Sequence, residues 1–301
     1  MSGTVTIFAP GGIGEVTPGA ALAALVADAV AAHPEGPLAD GDVVVVTSKV
    51  VSKAEGRTVP AAERERAITA ETVRTLASRG PTRVVRTRHG LTLAAAGVDN
   101  SNVGTDVVLL LPADPDAAAA ALRAALAART GCRLGVLVSD TAGRVWRRGQ
   151  TDQAVGAAGV RLLEAYAGRT DPYGNELRVT ETALADELAA AADLVKGKLA
   201  GRPVAVVRGL AHLVEDSAAG ARTLQREPAE DMFWIGSREA VLRAVLVATG
   251  QGRRYEELVT LDPEAAAAAA LAGATGGDAP LDAATADVLR RVLAAATTPP
   301  T

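Results

Sequence analysis

Cysteine is almost absent: Cys132 stands alone in 301 residues, so no intrachain disulfide can form. Histidine is scarce too, with three residues, His33, His89 and His212. A thiolate- or imidazole-rich zinc site therefore has too few donors. Aromatic residues make up only 2 % of the chain, so Ala, Val and Leu must fill the core and flat stacking platforms are few. No basic excess exists either: 31 Lys and Arg face 35 Asp and Glu, a net charge of −4. A general nucleic-acid binder usually carries a basic surface, so no nucleic-acid partner is expected. One phosphate pocket remains compatible with that charge. No uncharged apolar run reaches the ~18 residues that a membrane span needs. The Met1-Ser2-Gly3-Thr4 start lacks the basic and apolar regions of a signal peptide. A cytoplasmic location without a membrane partner is the expectation.

What the chain does have is 49 % apolar residues in punctuated segments, enough for one large domain or two modest ones. Short apolar runs read as strands at Val5 to Ala9, Val43 to Val46, Val84-Val85, Val107 to Leu111, Cys132 to Val138 and Val204 to Val207. The four consecutive valines at 43–46 suit a strand buried on both faces. Helical composition covers Ala20 to Ala32, Ala61 to Arg79, Asp116 to Ala128, Thr182 to Lys198, Arg238 to Ala248 and Asp282 to Ala296. Residues 142–180 are rich in Gly, Arg and polar groups. Alternating strands and helices predict an α/β or mixed α+β fold. The composition shifts after Gly250, with an Ala run at Ala265 to Ala270 and a turn-rich stretch at Gly273 to Pro280. This predicts a main domain over 1–249 and an Ala-rich helical appendage over 250–301.

Three clusters can carry chemistry. Asp99 sits in the polar turn Gly97-Val98-Asp99-Asn100-Ser101-Asn102, and Asp140 follows an apolar strand before Thr141. Carboxylate and hydroxyl oxygens suit hard cations whose shell phosphates complete. Each aspartate alone is equally an Asx-turn former. The second cluster, Thr47-Ser48-Lys49-Val50-Val51-Ser52-Lys53, offers hydroxyls and a lysine charge to phosphate; it reads equally as a solvated strand-to-helix connection. In the third, Arg144, Arg147 and Arg148 surround Trp146. Guanidinium forks suit carboxylate and phosphate, while Trp146 is expected to anchor the loop. Gly11-Gly12-Ile13-Gly14 has neither the dinucleotide Gly-x-Gly-x-x-Gly spacing nor a Walker-type Gly-Lys-Ser/Thr, so neither a Rossmann nor a P-loop site is predicted.

Together the segments resemble the coenzyme F420:L-glutamate ligases, the actinobacterial members above all. The matching stretches are Asp42 to Lys53, Ala96 to Gly104, Ser139 to Arg147, Asp171 to Leu177, Asp193 to Lys198 and Val206 to Gly209. They occur in order over roughly residues 5–245. The resemblance implies an F420 ligase-like fold of two intertwined subdomains. It implies GTP-dependent joining of L-glutamate to F420-0, with further γ-linked glutamates, through an acyl phosphate in F420 biosynthesis. By position, Asp99 and Asp140 match metal-binding aspartates, and Thr141 matches a ligand of a second divalent ion. Ser48, Lys53 and Asn102 match GTP contacts, and Ile13, Gly14, Glu15 and Val16 align with a nucleotide-contacting loop. Asp99, Asp140 and Lys53 are the expected catalytic residues. Two Mg²⁺ or Mn²⁺ ions, K⁺, GTP as co-substrate and a homodimer complete the implied set.

Two departures are visible. Archaeal relatives tend to carry Gly-Gln where this chain has Gly197-Lys198, and a charged lysine cannot ligate a metal. Some actinobacterial relatives continue into a flavin-binding reductase domain, which the tail after 250 does not resemble. Two other functions remain open from the clusters themselves. One is a metal-dependent kinase or nucleotidyltransferase, marked by a phosphorylated or nucleotidylated product made without glutamate. The other is a binding module that senses the cofactor without consuming GTP.

Overall fold

The structure, a computed structural model, describes residues 3–216, 219–276 and 281–297. The Met1-Ser2 start, the Gly277–Pro280 part of the turn-rich stretch and the end from Thr298 lie outside the described residues. The fold is mixed α/β and divides into two compact units interleaved along the chain. One comprises Met1–Ala67 and Val98–Gln225; the other comprises Ile68–Gly97 and Arg226–Thr301.

The first unit is built on a five-stranded sheet. Its spatial order is Thr6–Phe8, Val204–Arg208, Val43–Thr47, Gly135–Gly143 and Gln150–Ala158. Val43–Thr47 runs parallel to Gly135–Ser139, and the other pairings are antiparallel. One parallel pair within a mostly antiparallel sheet sets it apart from doubly wound nucleotide folds. Val43, Val44, Val45 and Val46 are wholly buried, as are Val136, Leu137 and Val138. Strands covered on both faces need such continuous apolar runs, and each fully buried valine is worth about 1.5–3 kcal/mol.

Helix Pro115–Thr130 begins with Asp114, whose side chain accepts from the Ala117 N–H at 3.0 Å, and with Pro115 in the first turn. Gly131 ends it in the left-handed region at φ 74°. The start of this helix lies against Gly156, where a Cβ would fall 2.2 Å from the Pro115 carbonyl oxygen. Asp116 fixes that contact by accepting from the backbone N–H groups of Ala157 and Ala221 at 2.9 and 2.6 Å. Helix Leu184–Lys196 packs Ala185, Leu188, Ala189 and Ala192 toward the sheet. At the far end of the sheet, Arg208 forks onto Asp42 through Nε and Nη2 at 2.9 and 2.7 Å.

The second unit holds an antiparallel meander of Thr72–Arg79, Thr82–Thr87 and Thr92–Ala94. Helices Ser237–Ala248, Pro263–Thr275 and Ala283–Thr297 share a core of Leu242, Leu246, Tyr255, Leu258, Ala270 and Leu293. Tyr255 donates its hydroxyl to the Thr75 carbonyl at 3.0 Å. Arg74 stacks over the Trp234 ring, 4.4 Å from its centroid.

Four local expectations are corrected. Ala61 to Arg79 is helical only over Arg64–Glu71 after a short 3-10 turn; Thr72–Arg79 is a strand. Pairing with Thr82–Thr87 makes it a strand despite its two arginines. Cys132 precedes its strand, which starts at Gly135 and runs on to Gly143. The 142–180 region contains a long strand, Gln150–Ala158. Small and amide residues hid it, because they have little β preference of their own. Trp146 is 85 % exposed, at φ 66°, so burial of its ring does not anchor the arginine loop. Among the described residues, no helix is long and apolar enough to cross a membrane.

Candidate active site

The parallel pairing ends at Thr47 and Ser139, which are register partners. Open α/β sheets bind ligands outside the carboxyl ends of parallel strands, because the loops there diverge and leave a crevice. Such a crevice is present, a cleft of about 330 Å³. Five cationic side chains face it: Lys49, Lys53, Lys196, Lys198 and Arg202. Gly14, Glu15, Asn102, Thr141 and Asp152 also line it.

Helix Ser48–Ala54 starts directly after the valine strand, so the expected strand-to-helix connection has no loop in it. Ser48 and Lys49 are thereby held at the sheet end and are buried. Ser48 donates its hydroxyl to Asp140 Oδ1 at 2.8 Å. Lys49 Nζ lies 2.6 Å from Asp99 Oδ2 and 3.9 Å from Asp140 Oδ1. Asp140 is therefore not in a turn: it sits within the Gly135–Gly143 strand, opposite Gln153. A register shift between Val138 and Ser139 resets which side chains face the cleft. Asp99 is held by a bridge to Leu109 and by Ser101, whose backbone N–H and hydroxyl donate at 2.8 and 2.9 Å. It is an Asx-turn former and a site residue at once.

Burial sets the charges. It pushes the Asp140 carboxyl up, and Lys49 and Ser48 only partly offset that, while Asp152 and Asp99 add to it. At Asp99 burial acts upward as well, but the hydrogen bond and charge of Lys49, with Ser101, outweigh it and hold the carboxyl below its usual value. For Lys49 burial alone would lower the ammonium, yet Asp140 and Asp99 together raise it.

A second buried group lies beside the first. Asp152 accepts from Ser139 Oγ and Thr141 Oγ1, both at 2.8 Å, and from Lys196 Nζ at 2.7 Å. Lys196 also donates to Ser139 Oγ at 2.9 Å. Burial pushes Asp152 up, but Lys196 first, then Thr141 and Ser139, hold it below the usual carboxylate range. Lys198 Nζ reaches Thr141 Oγ1 at 3.5 Å from the exposed side.

The sequence-expected residues thus divide. Asp99, Asp140, Ser48 and Thr141 converge around Lys49 and Asp152. Lys53 and Glu15 meet each other at 2.6 Å. Asn102 lines the cleft in the left-handed region at φ 59°. Ile13 and Val16 do not face it: they are 4 % and 3 % exposed and anchor the loop, leaving Gly14 and Glu15 toward the cleft. Lys49 was expected only as a member of the 47–53 cluster, and Asp152 and Lys196 were not among the expected site residues. Lys196 had a signal: it falls on the apolar stripe of 185, 188, 189 and 192, where a lysine needs a buried partner.

The mixed α/β sheet thus gathers cations, carboxylates and hydroxyls in one cleft beyond the end of its parallel pairing. The sequence model of the family described as F420-0:Gamma-glutamyl ligase matches residues 12–209, and the chain belongs to that family. It is 37 % identical to the coenzyme F420:L-glutamate ligase of Methanopyrus kandleri, over 73 % of this chain and 93 % of that protein. The protein of the same name from Halobacterium salinarum is 41 % identical, over 67 % and 85 %. That from Archaeoglobus fulgidus is also 41 % identical, over 57 % and 76 %.

Proposed function

We propose that this chain is a GTP-dependent ligase that joins the amine of L-glutamate to a carboxylate of F420-0, through an acyl phosphate, in F420 biosynthesis. The observation that carries this reading is a cationic cleft lined by Thr141 and by Lys49, whose ammonium lies 2.6 Å from Asp99 and 3.9 Å from Asp140, in a chain similar along most of its length to F420:L-glutamate ligases.

The residues fit a hard divalent cation. Their donors are carboxylate and hydroxyl oxygens, and the Asp140 carboxylate is buried with its charge only partly offset. Among the described residues no three His, Cys, Asp or Glu side chains form a complete metal-holding group. A partial shell of one or two carboxylates is what Mg²⁺ uses when substrate phosphates supply the rest. Asp99, Asp140 and Thr141 would hold Mg²⁺ or Mn²⁺, which when bound supplies charge neutralisation at the phosphates.

The chain's own groups do the rest. Lys53 and Lys198 place positive charge on the phosphate chain, Lys53 keeping Glu15 as its counter-ion. Thr141 gives its hydroxyl proton to Asp152, which leaves its oxygen lone pairs free to accept. In the reaction the γ-phosphoryl group moves from GTP to a substrate carboxylate oxygen, and GDP leaves. The glutamate nitrogen then attacks the acyl carbon, loses a proton and expels phosphate. Arg144, Arg147 and Arg148, on the loop after the Asp140 strand, are candidates for the substrate phosphodiester or the glutamate carboxylates. Lys198, 3.5 Å from Thr141 Oγ1, would add its charge to the phosphate chain on the Thr141 side.

The test is incubation with F420-0, L-glutamate, GTP and Mg²⁺ or Mn²⁺, followed by mass spectrometry. A glutamylated product with stoichiometric GDP supports the reading. GTP binding without that product overturns it. The homodimer is checked by light scattering, where a monomer mass at micromolar concentration removes it.

A further inference from the structure

The side chain that the two proposed metal-binding carboxylates share is an ammonium. Lys49 Nζ stands 2.6 Å from Asp99 Oδ2 and 3.9 Å from Asp140 Oδ1, and Lys49 also lines the cleft. Its backbone is held by the buried first turn of helix Ser48–Ala54. An ammonium and a divalent cation are both positive and both require the same carboxylate oxygens. At ~4 Å two such charges repel strongly wherever the dielectric is low. A cation entering here has to displace Lys49 from Asp99. The displaced ammonium then needs another anion, because a buried unpaired lysine charge is costly. Asp152 does not serve, since Lys196, Ser139 and Thr141 already occupy it. Of the other carboxylates lining the cleft, Glu15 is held by Lys53 and Asp193 is on the helix Leu184–Lys196; the anion the cleft would newly receive is the phosphate chain of a bound nucleotide.

We infer that Lys49 is a resident counter-ion that excludes divalent metal from Asp99 and Asp140 until a polyphosphate arrives to take its ammonium, so that metal and nucleotide enter cooperatively through this one side chain. The inference rests on the metal and nucleotide assignments proposed above. It explains why a carboxylate pair designed to hold a cation is folded around a lysine: the pair is neutralised and stable without metal, and metal alone gains little by binding. The flexible four-carbon stem of lysine suits the exchange, because its compact charge can move between two anions while the backbone stays in place.

Mn²⁺ binding, followed by the electron paramagnetic resonance of the free ion, tests this without turnover. The full chain is titrated alone and with guanosine 5′-(β,γ-imido)triphosphate, as wild type, Lys49→Met and Lys49→Arg. Wild type should bind Mn²⁺ at least tenfold more tightly with the nucleotide than without. Lys49→Met should bind Mn²⁺ alone at least tenfold more tightly than wild type and gain less than threefold from nucleotide. Lys49→Arg, which keeps the charge, should remain as weak as wild type toward Mn²⁺ alone. Thermal unfolding supplies a second measurement: Lys49→Met should melt lower than wild type and be restored by Mn²⁺ without nucleotide. Coupling in wild type that persists unchanged in Lys49→Met overturns the inference alone. Absence of Mn²⁺ binding under every condition overturns it together with the metal site.

Discussion

Replacing Lys196 by Met isolates the energetics of the buried group beneath the cleft. Lys196 and Asp152 are each 4 % exposed at the side chain, 2.7 Å apart. Removing one partner of such a pair leaves an uncompensated charge and costs about 3–5 kcal/mol. Asp152 keeps two hydroxyl donors, Ser139 and Thr141. Each offsets about 1 kcal/mol, so the loss should lie near ~2 kcal/mol. For a unit of roughly 150–250 residues that lowers the melting temperature by about 4–8 °C. The pH dependence is the sharper readout. In the wild type the Asp152 carboxyl is held below 3.8 against the upward push of burial. A depressed carboxyl contributes stability that is present above the unfolded pKa and lost as pH falls through the folded one. Without Lys196 the burial effect dominates and the carboxyl moves up. The deficit of Lys196→Met is then fullest at neutral pH and shrinks on acidification, as Asp152 takes a proton. Lys196→Met combined with Asp152→Asn should recover most of the loss. Thermal and denaturant unfolding at several pH values measure all of this. A deficit below about 1 kcal/mol at pH 7, or one that does not shrink in acid, refutes the assignment of the pair as a buried ionic group.

Three further outcomes are expected. Asp140→Asn keeps a group that can accept from Ser48 and removes a buried charge; product formation should fall at least ~100-fold while the melting temperature stays level or rises, read by mass spectrometry and circular dichroism. Asp42→Asn leaves one acceptor oxygen for Arg208 and sets an amide NH2 against the other guanidinium donor; it should cost about 1.5–3 kcal/mol in guanidinium unfolding, with glutamylation per folded molecule unchanged. In the second unit, Tyr255→Phe leaves the Thr75 carbonyl without its phenol donor and should cost about 1 kcal/mol, read in the same assay.

The regular parts of the fold were legible because they obey strong local rules. Val43–Thr47 declared itself through four valines, and Pro115–Thr130 through its Asp-Pro start and Gly131 stop. Thr72–Arg79 and Gln150–Ala158 were not legible, because pairing rather than composition makes them strands. The site shows the same division. Asp99, Asp140, Ser48 and Thr141 stood out as oxygen donors in matching motifs. Lys49, Asp152 and Lys196 did not, since their roles come from burial and from partners distant in sequence: Lys196 meets Asp152 across 44 positions, and Ser48 meets Asp140 across 92. Charge alone says nothing of whether a lysine is solvated or enclosed. Only the position of Lys196 on an apolar stripe carried that information locally.

The strand order has a consequence for how the chain is made. Val204–Arg208 is the last strand of the sheet to leave the ribosome, yet it lies between Thr6–Phe8 and Val43–Thr47. Until it emerges, the valine strand has one open edge, an unpaired row of amides flanked by wholly apolar residues. The Thr6–Phe8 strand has no neighbour at all during that time. Synthesis through residue 208 is therefore a threshold. A nascent chain stopped short of it presents a sticky half-sheet that chaperones must shield, while one released just beyond it has every strand of the catalytic sheet in hand.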